Sequence, residues 1–227
     1  MTPTTALPPA AGAPACEWLQ RLIVSFHDGR RALPLRANRL IEQLHAEAEI
    51  VAGASRVLLS LMEAGNCRQA LSDLEQCLEA VRTMDMELTA TLCRTLITPI
   101  DAEDLKVLSA HSVRFVRQQT RIGRMIAAEG DGGLGSMQQV VSEWAGCFAR
   151  AIQFLPSKDS RREAENMRAA ASPAHYLLSD ERCRLLSVST SPCELMRELA
   201  RIDVFEEVVE QMKLADQDLA GMILKWQ

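Results

Sequence analysis

The amino-acid sequence predicts an all-α protein of six long helices, and three observations carry that expectation. Apolar residues recur at steps of three and four through most of the chain, the spacing that puts them on one helix face. No alternating, β-branched runs bounded by hairpin turns occur, so strands are not expected. Aromatic residues are 4% of the 227 residues and hydrophobic residues 48%, so Leu, Ala, Val, Ile and Met must fill the core. These side chains suit helix-on-helix packing.

Residues 1–15 are rich in Pro, Ala and Thr and contain no Lys or Arg. They lack the charged start and continuous apolar run of a secretory signal, and read as a disordered tail. Residues 16–26 fit a short helix stopped by His27, Asp28 and Gly29, and Pro34 permits a new start. Over residues 35–64, Leu40, Leu44, Glu47, Val51, Ala54, Leu58 and Leu61 make a seam that is apolar except at Glu47. Gly65 and Asn66 end this helix.

A second helix over residues 68–96 carries the seam Leu71, Leu74, Leu78, Val81, Met84, Leu88 and Leu92. Pro99 discourages helix in the residue before it. Asp101 then fits an N-cap, with Asp104 three residues on in a capping-box position, so a third helix is expected from there to residue 128. Residues 129–135 hold four glycines in a span of six and form the clearest break. No completed phosphate-binding motif occurs there.

The fourth helix fits residues 136–155, with Val140, Val141, Trp144, Phe148 and Ile152 inward and Pro156 closing it. The fifth fits 158–186, where Pro173 either kinks the helix or splits it. The last runs over 193–225 along Leu195, Leu199, Ile202, Phe205, Val209, Met212, Leu219 and Met222. Three helices on each side of the glycine break are compatible with two three-helix bundles sharing a face, residues 16–129 and 136–227.

A net charge of -5 gives no ground for a nucleic-acid partner, which calls for a clustered cationic surface. The seven cysteines are odd in number, widely spaced and without a C-x-x-C, which excludes the patterns of a disulfide framework or a thiolate zinc site. Cysteine behaves as a small, often buried hydrophobe, and a reducing compartment is expected. No stretch has the ~18 to 20 apolar residues of a membrane span. A cytoplasmic protein is expected, reaching a membrane only through a partner.

The stretch Thr95, Leu96, Ile97, Thr98, Pro99, Ile100, Asp101, Ala102, Glu103, Asp104, Leu105 resembles the signature between the second and third helices of the PhoU-like family. That family includes phosphate-transport regulators and accessory proteins of Pit phosphate transporters. The usual form is T-F-I-T-P-I/F-D-R-E-D-I/L, so Leu96 and Ala102 are the departures, and Thr98, Pro99, Asp101 and Asp104 are kept. The likeness extends weakly over residues 36–226. It implies two pseudo-symmetric three-helix bundles and a role in controlling phosphate uptake through a phosphate transporter or sensor protein. In many members it also implies metal ions held by E/D-x-x-x-D pairs. Here the pair positions carry Leu78 and Arg82, Val113 and Arg117, Glu165 and Ala169, and Glu210 and Leu214, with Asp218 one turn later. A multi-metal cluster needs several carboxylates to offset cation repulsion, and few remain.

Two groups of residues stand out. Glu207, Glu210 and Asp218, with Glu206 and Asp216 nearby, form an acidic stretch that is either a residual site for one divalent metal or iron, or a solvated helix face. Arg114, Arg117, Arg121 and Arg124 recur at steps of three and four, and Arg82 extends the stripe if the second helix packs alongside. Arginine forks on one face suit phosphate or an acidic partner surface, or else pair with carboxylates on neighbouring helices. His27, His45, His111 and His175 are scattered, and no nucleophile signature occurs, so an enzyme is not expected. The reading is a non-enzymatic regulator of inorganic phosphate transport that docks on another protein, needs no resident cofactor and is free to form a homo-oligomer. The alternative is a helical protein that binds metal through carboxylates.

Overall fold

Seam positions from the sequence become the interior of an all-α bundle. The computed structural model describes residues 36–64, 67–95, 100–129, 134–155, 159–187 and 191–225. Its helices are α1 (Arg36–Ala64), α2 (Cys67–Leu92), α3 (Ala102–Glu129), α4 (Gly135–Gln153), α5 (Asp159–Ala171), α6 (Ala174–Ser187) and α7 (Pro192–Lys225). No strand occurs among the described residues. The expected tail, the helix over 16–26, Thr98, Pro99 and most of the glycine break lie outside the described residues.

The fifth expected helix is two helices. Pro173 has no N–H to donate and its ring crowds the preceding turn, so the helix stops rather than bends. Ser172 N–H closes α5 by donating to Ala169 C=O at 3.2 Å, and the Pro173 C=O accepts from Leu177 N–H at 3.1 Å to open α6. α7 begins one residue earlier than expected because Pro192 suits a first helical position. A reciprocal cap holds it there. Glu194 N–H donates to Ser191 Oγ at 3.3 Å, and Ser191 N–H donates to Glu194 Oε2 at 3.2 Å.

α1, α2 and α3 pack on one another. α4 packs on α1 and α5, and α7 packs on α3, α5 and α6. The α2–α3 approach is close at Gly123, where a Cβ would overlap the Leu74 side chain. Leu40, Leu44, Leu58, Leu74, Leu88, Leu105, Leu108 and Ile122 fill the interior of the first three helices. Phe115, Trp144 and Phe148 carry the core across to α4, with ring centroids 4.9 and 5.3 Å apart. On α7 the apolar seam is buried from Ile202 onward, whereas Leu195 and Leu199 are half-buried.

Candidate docking face and buried acid cluster

The arginine stripe lies on the outer face of α3, and the α2–α3 register decides what stands beside it. Ser109 Oγ donates to Asp85 Oδ1 at 2.8 Å, Thr120 Oγ1 to the Leu74 C=O at 3.4 Å, and Arg124 Nη2 to Glu75 Oε1 at 2.9 Å. Residue numbers fall on α2 as they rise on α3, so the helices run antiparallel and Arg82 lies level with the stretch from Arg114 to Arg117. All five arginines are exposed.

Their fates differ. Arg121 pairs with Glu207 of α7 at 2.6 Å and Arg124 with Glu75, so these two serve bridges between helices. Arg82, Arg114 and Arg117 pair with no carboxylate among the described residues. Met86, 63% exposed, follows Arg82 by one turn, and Val107 stands exposed on the same face of α3. The result is a surface of three unopposed guanidinium groups beside exposed apolar side chains, on a chain of net charge -5.

The acidic stretch of α7 is divided between two neighbours. Glu207 accepts from Arg121 and from Gln118 Nε2, and Asp218 lies 2.7 Å from His111 Nε2, both toward α3. Glu210 instead lines a groove of about 410 Å³ between α6 and α7, with His175, Arg182 and Glu206, and bonds Lys213 at 3.4 Å. Among the described residues, no three His, Cys, Asp or Glu side chains converge as a metal site would require.

Of the signature residues, Asp101 caps α3 by accepting from Glu103 N–H at 3.1 Å. Asp104 does not turn back to complete a capping box; it is buried and accepts from Lys225 Nζ at 2.8 Å. Asp104 and His111 are seven residues apart on α3, and their partners Lys225 and Asp218 are seven apart on α7. These bonds, with Arg121–Glu207 farther along, join the first three helices to the last one.

The sequence pattern passed over a second cluster. Glu47, the polar position in the α1 seam, is fully buried and neither of its oxygens accepts a hydrogen bond. Burial pushes its carboxyl up to about 8, the nearby Asp85 charge adds to the rise, and the Ser109 hydroxyl opposes it. Gln43, one turn earlier, is also fully buried with both amide atoms unpartnered. Between them in sequence but turned to another face of α1, His45 is lowered by burial, against a bond to the Ile152 backbone. Farther along, Gln138 Nε2 of α4 donates to Gln119 Oε1 of α3 at 3.0 Å and to the Ser55 C=O of α1 at 3.3 Å. A charged residue at a core position of an otherwise apolar seam was the signal for Glu47; nothing local marked Asp85 or Ser109 as its neighbours.

Together these features define an all-α helical bundle with a cationic outer face and a buried polar cluster within an apolar core. The fold is shared with a known one. The crystal structure of a PhoU-like protein from Shewanella oneidensis MR-1 matches this chain with a TM-score of 0.67, over 82% of this chain and 99% of that one. Sequence identity is 15%, so the likeness is one of fold. No family model matches the sequence, and no curated protein matches it. No described helix is long and apolar enough to cross a membrane.

Proposed function

We propose that this protein is a non-enzymatic regulator of inorganic phosphate transport that docks on a phosphate transporter or its sensor through the α2–α3 face. The observation that carries the reading is the unopposed set Arg82, Arg114 and Arg117 with Met86 and Val107 beside it. The PhoU-like fold and the kept signature residues Asp101 and Asp104 support the phosphate-transport part. Arg82 and Arg117 stand at positions where that resemblance implies metal-holding carboxylates. Fixed guanidinium charge thus occupies a place where a bound cation is otherwise implied.

The occupant is an acidic segment of the partner protein. Unopposed like charges on one helix repel, and an incoming row of carboxylates relieves that repulsion while the apolar side chains lose contact with water. Binding alters the partner's activity by occupancy, which requires only that the partner's two states differ in affinity.

The test is co-purification with the phosphate transporter or sensor of the same cells, with phosphate uptake measured beside it. The triple change Arg82→Gln, Arg114→Gln, Arg117→Gln is expected to weaken capture by about tenfold or more, more so at low salt. Capture unchanged by the triple variant removes the face from the proposal. Unchanged phosphate uptake after deletion of the protein removes the transport role. Direct binding of inorganic phosphate that is lost in the triple variant makes the face an anion site instead.

A further inference from the structure

The interior of α1, α2 and α3 brings together two carboxylates and one hydroxyl. Glu47 comes from α1, Asp85 from α2 and Ser109 from α3. Ser109 has a single proton, and it is given to Asp85 Oδ1 at 2.8 Å. Its oxygen keeps lone pairs free to accept. Glu47, 0% exposed, has no donor of good geometry on either oxygen. Asp85 is the charged group that acts on Glu47; α3 contributes the Ser109 hydroxyl, and α4, packed on the same helix, contributes no charge to it. An ionised Glu47 would therefore sit shut off from bulk solvent, with the neighbouring serine proton already given to a second anion, Asp85. The desolvation cost of that arrangement is severe, and a proton removes it.

We propose that Glu47 carries a proton in the folded protein, that its O–H donates to Ser109 Oγ while Ser109 O–H donates to Asp85, and that loss of this proton loosens the α2–α3 seam. Only one bond changes on ionisation, the Glu47 O–H, and the proton leaves to solvent past Asp85, which is half-buried. Two anions then share one serine proton. The repulsion falls on α2 at Asp85, close to Arg82, and on α3 at Ser109, between Val107 and Arg114. The bundle thus holds a proton-dependent latch beneath its cationic face. The proposal rests on the interior geometry and stands or falls apart from the docking partner.

Titration of the full chain labelled at the glutamate side-chain carboxyl carbon tests it directly. One resonance with a midpoint near pH 8, missing in Glu47→Gln, is expected. Asp85→Asn should move that midpoint toward acid, because it removes the neighbouring charge. Amide exchange along α2 and α3, corrected for its intrinsic pH dependence, should speed up above the midpoint in the native chain and not in Glu47→Gln. Gln reproduces the shape and the donor of a neutral Glu, so this variant keeps the packing. Every Glu resonance titrating within about a unit of the ordinary 4.5 overturns the proposal. So does an unmoved midpoint in Asp85→Asn, or exchange that speeds up equally in native and variant. Saturable loss of the Glu47 resonance on adding Mn2+ would make the cluster a cation site and would also overturn the latch.

Discussion

The α3–α7 seam and the α1–α2–α3 interior handle acidic side chains in opposite ways. In the seam each acid meets a nitrogen base: Asp104 meets Lys225, Asp218 meets His111, and Glu207 meets Arg121. In the interior Glu47 meets another acid, with a serine between. Arg121 and Glu207 are both about half exposed, so that bridge is weak and screened by salt. The strength of the seam lies where one partner is buried, at His111 and Asp104, 6% and 11% exposed. The interior has no such option, and Glu47 is neutral there only with a proton. The seam is thus held by acid–base pairs, and the interior by a Glu47 that carries no charge.

The largest effect that separates the two regions is at Glu47. Its folded value near 8 lies above the ordinary 4.5. The folded state therefore binds more protons than the unfolded state between those values, and stability falls as pH rises through that window. Glu47→Gln removes this dependence. Its stability advantage over the native chain should widen by on the order of 3 kcal/mol between about pH 5 and about pH 7.5, measured by urea denaturation. A constant difference across that range would mean that Glu47 is ionised in both states.

The next effect belongs to the seam. Asp218→Ala leaves His111 Nε2 without its partner in a buried position, and its Nδ1 has none to begin with. A loss of about 1–3 kcal/mol is expected. Lys225→Ala should also destabilise, because it strands Asp104, whose side chain is 11% exposed. A neutral Lys225→Ala would show that burial of one partner does not set the value of the clasps.

Much of this contrast was out of reach of the sequence, for definite reasons. Periodicity located α1, α2, α3, α4 and α7, because core burial is a property of one helix face and repeats along the chain. It left the fate of Pro173 open, because a kink and a break need the same residue. The arginine stripe was visible, but its partners were not: Glu207 lies 86 residues from Arg121, and Glu75 lies 49 from Arg124. The same limit hid the interior. Glu47 stood out as the polar position in its seam, yet Asp85 and Ser109 become its neighbours only when α2 and α3 fold against α1. Asp104 shows the error in the other direction. Its spacing from Asp101 suggested a local cap, and a lysine 121 residues away claimed it.

The smallest effect in stability, and the sharpest in meaning, separates two arginines one turn apart. Arg121→Gln breaks an exposed bridge to Glu207 and should cost up to about 1 kcal/mol. Arg117→Gln breaks no pair. It removes a charge that faces Arg114 and Arg121 three and four positions away, so it should be neutral or stabilising by a few tenths of a kcal/mol. Partner capture should rank the two in reverse, with Arg117→Gln losing binding and Arg121→Gln keeping most of it. A residue whose removal helps the fold but harms an interaction is one the fold does not need for itself. If both variants instead lose stability and keep capture, Arg117 belongs to the bundle as Arg121 does, and the cationic face serves only to hold helices together.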